Sequence, residues 1–365
     1  MVKPLRGSFW VLVLYDAAEA IDLDELCRLI GTERVQRQPS FKHPAPEYVR
    51  FERSPVVENP DPITIETGEK FSVRIKYFDY GVISVELEMA FEADWTELIR
   101  LANRWILAPE LEKQAADLVR PRLDRAKHAL TTPYPSRLSE DYYIIHLSDA
   151  MDESGQPLTA PALLAAHGAE IAQIVRGEPT PLSEGERNEV LQSSMSYYAT
   201  DLLVAGWVGA LVYDTPEGSV PTIQLLEYAN TQLLEYRHYD EVLTRVLQKV
   251  YKMLERHPNL IRRWRMANEA ERLNTLRLDV IELTERTDNA IKFLSDMFYA
   301  RAYRIAAARV GVNDYRNLVD EKLATARDLY DFMTNEFHQG RAFVLEVLVV
   351  IILVIELAHL FHGGW

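Results

Sequence analysis

Two Glu-x-x-His spacings are the clearest sign of chemistry in the sequence: Glu235 with His238, and Glu356 with His359. In helical bundles, such a pair on each of two helices helps to hold a di-iron centre. With nine His in 365 residues, two such spacings are unremarkable. The sequence also lacks a glycine-rich phosphate loop, a zinc-protease motif and a nucleophile elbow. It therefore predicts no catalytic, cofactor-binding or metal site, and no small-molecule substrate.

A cationic run is the second chemical feature. Arg262, Arg263 and Arg265 flank Trp264, inside a stretch, residues 241–309, that carries 14 Lys and Arg against 9 Asp and Glu. Arginines can contact RNA phosphates while an indole stacks on a base. The whole chain has a net charge of −15, which argues against general nucleic-acid binding. The run predicts either an RNA or ribosome contact or an ordinary solvated helix surface.

The first 213 residues mix strands and helices. A buried strand is predicted at 8–15, and two antiparallel strands, 70–78 and 82–91, alternate apolar with polar residues. That alternation predicts one face of the pair in solvent. The apolar stretch 201–213 reads as one further strand. Residues 1–213 are therefore predicted to form an α/β head domain with a split-βαβ-like sandwich, and the predicted fold class of the chain is α+β.

A heptad pattern follows the head. Apolar residues spaced three and four apart predict a long antiparallel coiled-coil stalk over 222–338. One polar residue interrupts each of its first two seams, Asp240 and Thr287. A single polar group at a seam position usually fixes register and partner number, so both are predicted to set the register of the stalk.

The C-terminal stretch 341–361 is a nearly continuous apolar helix. About 20 apolar residues can cross a bilayer core about 30 Å thick, so the length predicts one transmembrane helix. Glu346 and Glu356 interrupt it and leave only 347–355 without an ionisable group. A carboxylate inside a membrane is costly. The alternative is a buried helix at the centre of an oligomer.

Several segments resemble a known family, the proteins required for meiotic nuclear division, whose bacterial members include the YagE-like proteins. The segments that carry the resemblance are 12–29, 78–82, 320–323, 328–333 and 349–356. The resemblance implies a domain without an established catalytic residue set, tethered by one C-terminal helix. It also implies that Glu346 and Glu356 are family positions, and that mitochondrial relatives act as inner-membrane anchors or scaffolds for protein synthesis.

Together these features predict a membrane-anchored, non-enzymatic scaffold that oligomerises through its stalk, with the head in the cytoplasm and the lipid bilayer and other copies as partners. Arg327 and Arg341 on the entry side of the helix set that orientation. The first alternative is an RNA- or ribosome-associated adaptor using 241–309. The second is a metal-dependent enzyme using carboxylates such as Asp240 and Glu285. A soluble cytoplasmic oligomer is the alternative location.

Overall fold

The fold is taken from a computed structural model that describes residues 4–31, 55–106, 108–135, 137–151, 156–254, 271–282, 285 and 297–362, except the side chains of 253–254, 334, 336–345 and 358–362. The chain divides into two compact units. The first unit contains residues 1–238 and 287–315, and the second contains 239–286 and 316–365.

The described strands and helices are as follows. The strands are β1 (Leu5–Asp16), β2 (Ala18–Ile21), β3 (Val56–Glu58), β4 (Ile63–Thr64), β5 (Lys70–Tyr77), β6 (Val82–Ala93), β7 (Leu130–Pro133), β8 (Ser139–Asp149), β9 (Ser194–Met195), β10 (Leu202–Ala205) and β11 (Gly209–Tyr213). The helices are α1 (Leu23–Ile30), α2 (Trp95–Ile106), α3 (Pro109–Ala126), α4 (Ala160–Arg176), α5 (Glu184–Leu191), α6 (Pro216–Leu254), α7 (Met297–Val310) and α8 (Val312–His362), with a helical segment at 271–282.

One large mixed sheet organises the first unit. Its nine described strands run in the order β3-β5-β6-β1-β8-β11-β10-β9, with β4 beside β5. The strand β1 pairs antiparallel with β6 on one edge and with β8 on the other, whereas β11 runs parallel to β8. Strand β1 therefore lies in the interior of the sheet, with its backbone hydrogen-bonded on both sides.

Helices cover both faces of this sheet. On one face, Phe9, Val11 and Val13 join a core with apolar residues of α1 to α5. On the opposite face lies α6, whose Glu227 accepts a hydrogen bond from Lys76 at 2.5 Å and whose Thr231 accepts one from Tyr80 at 3.0 Å. Because successive residues of a strand point to opposite faces, the polar residues of β5 and β6 face α6.

The predicted hairpin of β5 and β6 is confirmed, with Arg74 opposite Glu86, but its predicted solvent-facing side is wrong for the half nearest the turn. Lys76 is 6% exposed, Glu86 2% and Ser84 0%. A strand pattern of alternating polarity indicates a wet face only when nothing else covers it. Here α6, which begins far along the chain, covers the part of that face nearest the turn, while Ser72, Ala90 and Glu92 stay exposed.

The predicted α+β class with a split-βαβ sandwich is also wrong. Residues 201–213 do not form one strand, because a turn at 206–208 divides them into β10 and β11, which pair antiparallel. Strand β11 then joins β8 in parallel. The result is a mixed α/β architecture around a single large sheet.

The predicted long coiled-coil stalk is wrong as well. A coiled coil buries a narrow seam and leaves the rest of each helix exposed. In α6, however, most side chains from 221 to 236 are buried around the whole helix, including the polar Asn230 and Thr231. The second unit has a small core of its own, whose buried members are Val246, Leu247, Val250, Leu273, Ala326 and Met333.

The predicted transmembrane helix is likewise wrong. No helix within the described part of the chain is long and apolar enough to cross a membrane. Glu346 and Glu356 limit the apolar run of α8 to 347–355. Nine residues at about 1.5 Å rise span roughly 14 Å, about half of a bilayer core.

Candidate functional site

A cleft of about 300 Å³ opens on the α6 side of the sheet in the first unit. Its floor comes from four neighbouring strands, β5, β6, β1 and β8, and its wall is the first turns of α6. The floor residues are Gly7, Ser8, Trp10, Arg74, Lys76, Glu86, Glu88, Ala90, His146 and Ser148, and the wall residues are Pro216, Ser219, Val220, Ile223 and Gln224.

Strand register explains why polar side chains converge in this cleft. Ser8 lies opposite His146 of β8 on one side and opposite Ala90 of β6 on the other. Trp10, two residues further along β1, lies opposite Glu88. Residues two apart on a strand share a face, so this register places all five side chains on the face that α6 covers only in part.

The floor of the cleft includes part of a buried group of ions. The Lys76 ammonium is 2.5 Å from a carboxylate oxygen of Glu86 and 2.5 Å from one of Glu227, and both carboxylates are at most 3% exposed. Arg74 contacts the other oxygen of Glu86 at 3.0 Å. Burial lowers the pKa of Lys76, but Glu227 and Glu86 together raise it above its ordinary value. Lys76 therefore stays charged and ties α6 to the sheet.

A chain of hydrogen bonds fixes the polar groups at the other end of the cleft. The Trp10 indole N–H donates to Ser8 Oγ at 2.8 Å, and Ser8 Oγ lies 3.4 Å from His146 Nδ1. His146 Nε2 lies 2.9 Å from the carbonyl oxygen of Asp214. Because a carbonyl only accepts, Nε2 carries the proton, and the single proton of the Ser8 hydroxyl goes either to Nδ1 or to Glu88. Burial lowers the pKa of His146, which keeps the imidazole neutral.

Glu88 is the carboxylate of the cleft without a close cation of its own among the described residues. Burial raises the pKa of Glu88, a hydrogen bond from Ser8 and the charge of Arg74 lower it, and the nearby Glu86 raises it further. Arg74 is already paired with Glu86. The side chain of Glu88 is only partly buried and faces the cleft. It can therefore accept a hydrogen bond from a bound molecule or pair with a positively charged group on it.

The geometry favours binding over nucleophilic catalysis. Ser8 and His146 resemble a nucleophile and base in residue type, but acyl transfer also needs backbone N–H groups aimed at a developing oxyanion. Strand β1 is paired along both edges around Ser8, so its N–H groups are already in sheet hydrogen bonds. Strand β1 therefore holds Ser8 in a fixed position, but its own backbone N–H groups are not available to an oxyanion.

Several residues singled out from the sequence lie elsewhere. Asp240 belongs to the second unit, where its carboxylate accepts a hydrogen bond from Lys322 of α8 at 2.5 Å; its predicted role in setting register stays a prediction. Glu346 and Glu356 are exposed on α8. The following lie outside the described residues: Thr287, Arg262, Arg263, Trp264 and Arg265.

The Glu235–His238 spacing leads to a different contact from the one it suggested. His238 Nδ1 lies 2.5 Å from a carboxylate oxygen of Asp16, at the end of β1, and the ring stacks on Tyr134 at 4.2 Å between centroids. Burial raises the pKa of Asp16, and His238 lowers it. In the described part of the chain, no three His, Cys, Asp or Glu side chains are arranged to hold a metal ion.

Sequence reasoning missed the cleft because it placed the charged residues of β5 and β6 in solvent. A signal was present in α6, where Glu227, Thr231 and Glu235 follow one another four residues apart. Polar residues at that spacing share one face of a helix. Such a face needs polar partners when the helix is buried, and the charged side of the β5–β6 hairpin supplies them.

Comparisons with known proteins give one consistent relationship. A family model described as "Uncharacterized protein MJ0711, N-terminal domain" matches residues 6–219. The uncharacterized protein MJ0711 of Methanocaldococcus jannaschii is 20% identical over 358 residues, which cover 98% of each chain. No solved structure matches the chain.

These matches overturn the predicted resemblance to the proteins required for meiotic nuclear division and the YagE-like proteins. The strongest part of that resemblance, from 320 to 356, is a helical pattern of apolar and charged residues. Long helices of unrelated proteins share such patterns, which makes them weak evidence of family.

Proposed function

We propose that this chain, which belongs to the family of the uncharacterized protein MJ0711, N-terminal domain, binds a small polar molecule in the cleft between its central sheet and α6. The matched segment, 6–219, includes every strand that forms the floor of that cleft. Ligand sites of proteins are typically concave and carry a few convergent polar groups on a rigid frame, which is the arrangement of this cleft.

One observation carries this proposal: the polar groups of the cleft are held in place before any ligand arrives. Ser8 is fixed between Trp10 and His146, and His146 is fixed by the carbonyl of Asp214. Groups that are already ordered lose little freedom on binding, which favours affinity and selectivity. Strand β1 supplies two of these groups from the interior of the sheet, where the backbone is most constrained.

The proposal is tested by thermal unfolding in the presence of a defined set of amines, polyols, sugars and nucleosides. A ligand of the folded state raises its stability by about 2.7 kcal/mol at a concentration about 100 times its Kd. Ala90 is exposed in the cleft, so Ala90→Trp should fill the cleft and abolish the shift without disturbing the core. A shift that persists in Ala90→Trp would place binding elsewhere, and the absence of any shift in the wild type would contradict the proposal.

A second candidate function is the RNA-associated adaptor suggested by 241–309. The observation that favours it lies in the second unit, where a cleft of about 190 Å³ is lined by Arg277 and Arg327 together with Asn274 and Tyr330. Both arginines are exposed and suited to a phosphate, although Asp331 also lines this cleft.

The adaptor function is tested with a fluorescent single-stranded RNA at low salt. Binding should weaken steeply with added salt, and Arg277→Glu with Arg327→Glu should weaken it further. Charge reversal at Arg262, Arg263 and Arg265 tests the original prediction separately. No RNA binding by the wild type at low salt would end this hypothesis.

A further inference from the structure

We infer that the ligand of the sheet–α6 cleft carries a positively charged amino or amidino group, which pairs with Glu88 while the rest of the molecule lies along Trp10. This inference rests on the proposed function, because it assigns a ligand class to the same cleft. It follows from the charges that line the cleft and its floor and from the way they are already paired.

The first step is the balance of charges. Two cations, Arg74 and Lys76, face three carboxylates, Glu86, Glu88 and Glu227. Lys76 is shared by Glu86 and Glu227 at 2.5 Å each, and Arg74 binds Glu86 at 3.0 Å. These contacts occupy both cations, and Glu88 is the carboxylate that they leave without a cation among the described residues.

The second step is the position of Glu88. It lines the 300 Å³ cleft and also an adjoining cleft of about 230 Å³, and Trp10, Arg74 and Glu86 line both as well. Glu88 and Trp10 can therefore contact a molecule bound in either cleft. Buried or partly buried carboxylates favour a cation as partner, because pairing offsets the cost of removing the charge from water.

The third step concerns Trp10. The guanidinium of Arg74 lies 5.9 Å from the centroid of its ring, within the range of a cation–π contact. The indole therefore already tolerates a positive charge beside it. A ligand cation beside Glu88 and this ring would be attracted by both and repelled by Arg74, whereas an anionic ligand would be repelled by Glu88.

The effect of pH follows from the groups that face Glu88. These are Arg74, Lys76, Glu86 and His146 from the sheet; the residues that α6 contributes to the cleft wall are uncharged, and its Glu227, whose pKa burial raises, is paired with Lys76. Only the ionised form of Glu88 pairs with a cation, and its pKa lies above the ordinary value. Affinity for a cation should therefore fall as the pH falls through that raised pKa, while an alkylammonium group stays charged throughout.

The test is isothermal titration calorimetry of the full chain with three molecules that share one skeleton: tyramine, its neutral analogue tyrosol, and the anion 4-hydroxyphenylacetate. We expect the wild type to bind tyramine at least about tenfold more tightly than tyrosol, a difference of about 1.4 kcal/mol. Glu88→Gln should remove this preference. Binding of tyramine by the wild type should weaken as the solution is acidified, and binding of tyrosol should not.

The matched control is Glu92→Gln. Glu92 lies on the same face of β6, four residues beyond Glu88, but it is exposed and pairs with Arg6 outside the cleft. It should keep the preference for tyramine. Equal binding of tyramine and tyrosol, tighter binding of the anion, equal losses in the two variants, or no binding of any of the three would overturn the inference.

Failure of this inference is distinguishable from failure of the proposed function. If the thermal screen finds a neutral or anionic ligand whose effect Ala90→Trp removes, the cleft is a binding site but its ligand class is wrong. Circular dichroism of each variant confirms that the fold is retained. Should Glu88→Gln fail to fold, Glu88→Asp replaces it, because shortening the side chain should lower the preference while keeping the charge.

Discussion

Lys76 shows how one residue joins parts of the chain that are distant in sequence. Its ammonium group bridges Glu86 on the adjacent strand and Glu227 on α6, 151 residues further along the chain. Replacing a buried ion pair by apolar groups of similar volume can be neutral, but removing one partner leaves an uncompensated charge. The effect of replacing any one of these three residues on stability therefore depends on the other two.

Lys76→Met should lower the free energy of unfolding by about 3 to 5 kcal/mol, because it leaves Glu227 buried without a cation. Adding Glu227→Leu should recover part of that loss, since Glu86 still has Arg74 at 3.0 Å. Urea unfolding followed by circular dichroism measures both. The control is Lys70→Met, at the exposed start of the same strand. A loss no larger in Lys76→Met than in this control would contradict the role given to Lys76.

At the scale of elements, sequence reasoning succeeded where the pattern is local. The β5–β6 hairpin could be predicted because the alternation of apolar and polar residues within each strand determines it. The covering of the hairpin by α6 could not be predicted. A seam of apolar residues fits both a coiled coil and a helix buried on a sheet, and only tertiary packing decides between them.

The turn between β5 and β6 gives a test at this scale. Gly81 has φ of 95°, and a Cβ there would lie 1.8 Å from the carbonyl oxygen of Ala18. Gly81→Ala should therefore destabilise the protein by more than the 1–2 kcal/mol or so that the left-handed conformation alone costs. Gly68→Ala is the control, because Gly68 has the same φ and nothing within 4 Å of its Cβ position. Equal losses of stability on urea unfolding would show that the contact with Ala18 is unimportant.

At the scale of the whole molecule, the apolar part of α8 remains the feature without a described partner. Its apolar side chains from 347 to 355 are 41–60% exposed, and nine consecutive residues cover every side of a helix. Exposed apolar surface of this extent marks an interaction site in most proteins. The predicted homo-oligomer therefore stays a prediction with a specific surface to test.

Ile352→Asn should convert an oligomer of the wild type into a 42.0 kDa monomer, as measured by light scattering after size-exclusion chromatography without detergent. The loss follows because a polar amide at the interface would be buried without a partner. Leu318→Asn is the control, since Leu318 lies on the same helix and is 44% exposed, close to the 48% of Ile352. A monomeric wild type, or a wild type that needs detergent or lipid to remain in solution, would contradict self-association.

The central claim is that a small ligand occupies the cleft beside Trp10, and the most direct measurement is the nuclear magnetic resonance signal of the indole N–H groups. Trp10→Phe and Trp207→Phe assign two of these signals, and Trp207 is 58% exposed in the turn between β10 and β11, outside the cleft. On titration with tyramine, we predict that the Trp10 signal moves and saturates while the Trp207 signal stays in place. A Trp10 signal unmoved by tyramine, tyrosol and 4-hydroxyphenylacetate, and by every amine, polyol, sugar and nucleoside of the thermal screen, would contradict the claim.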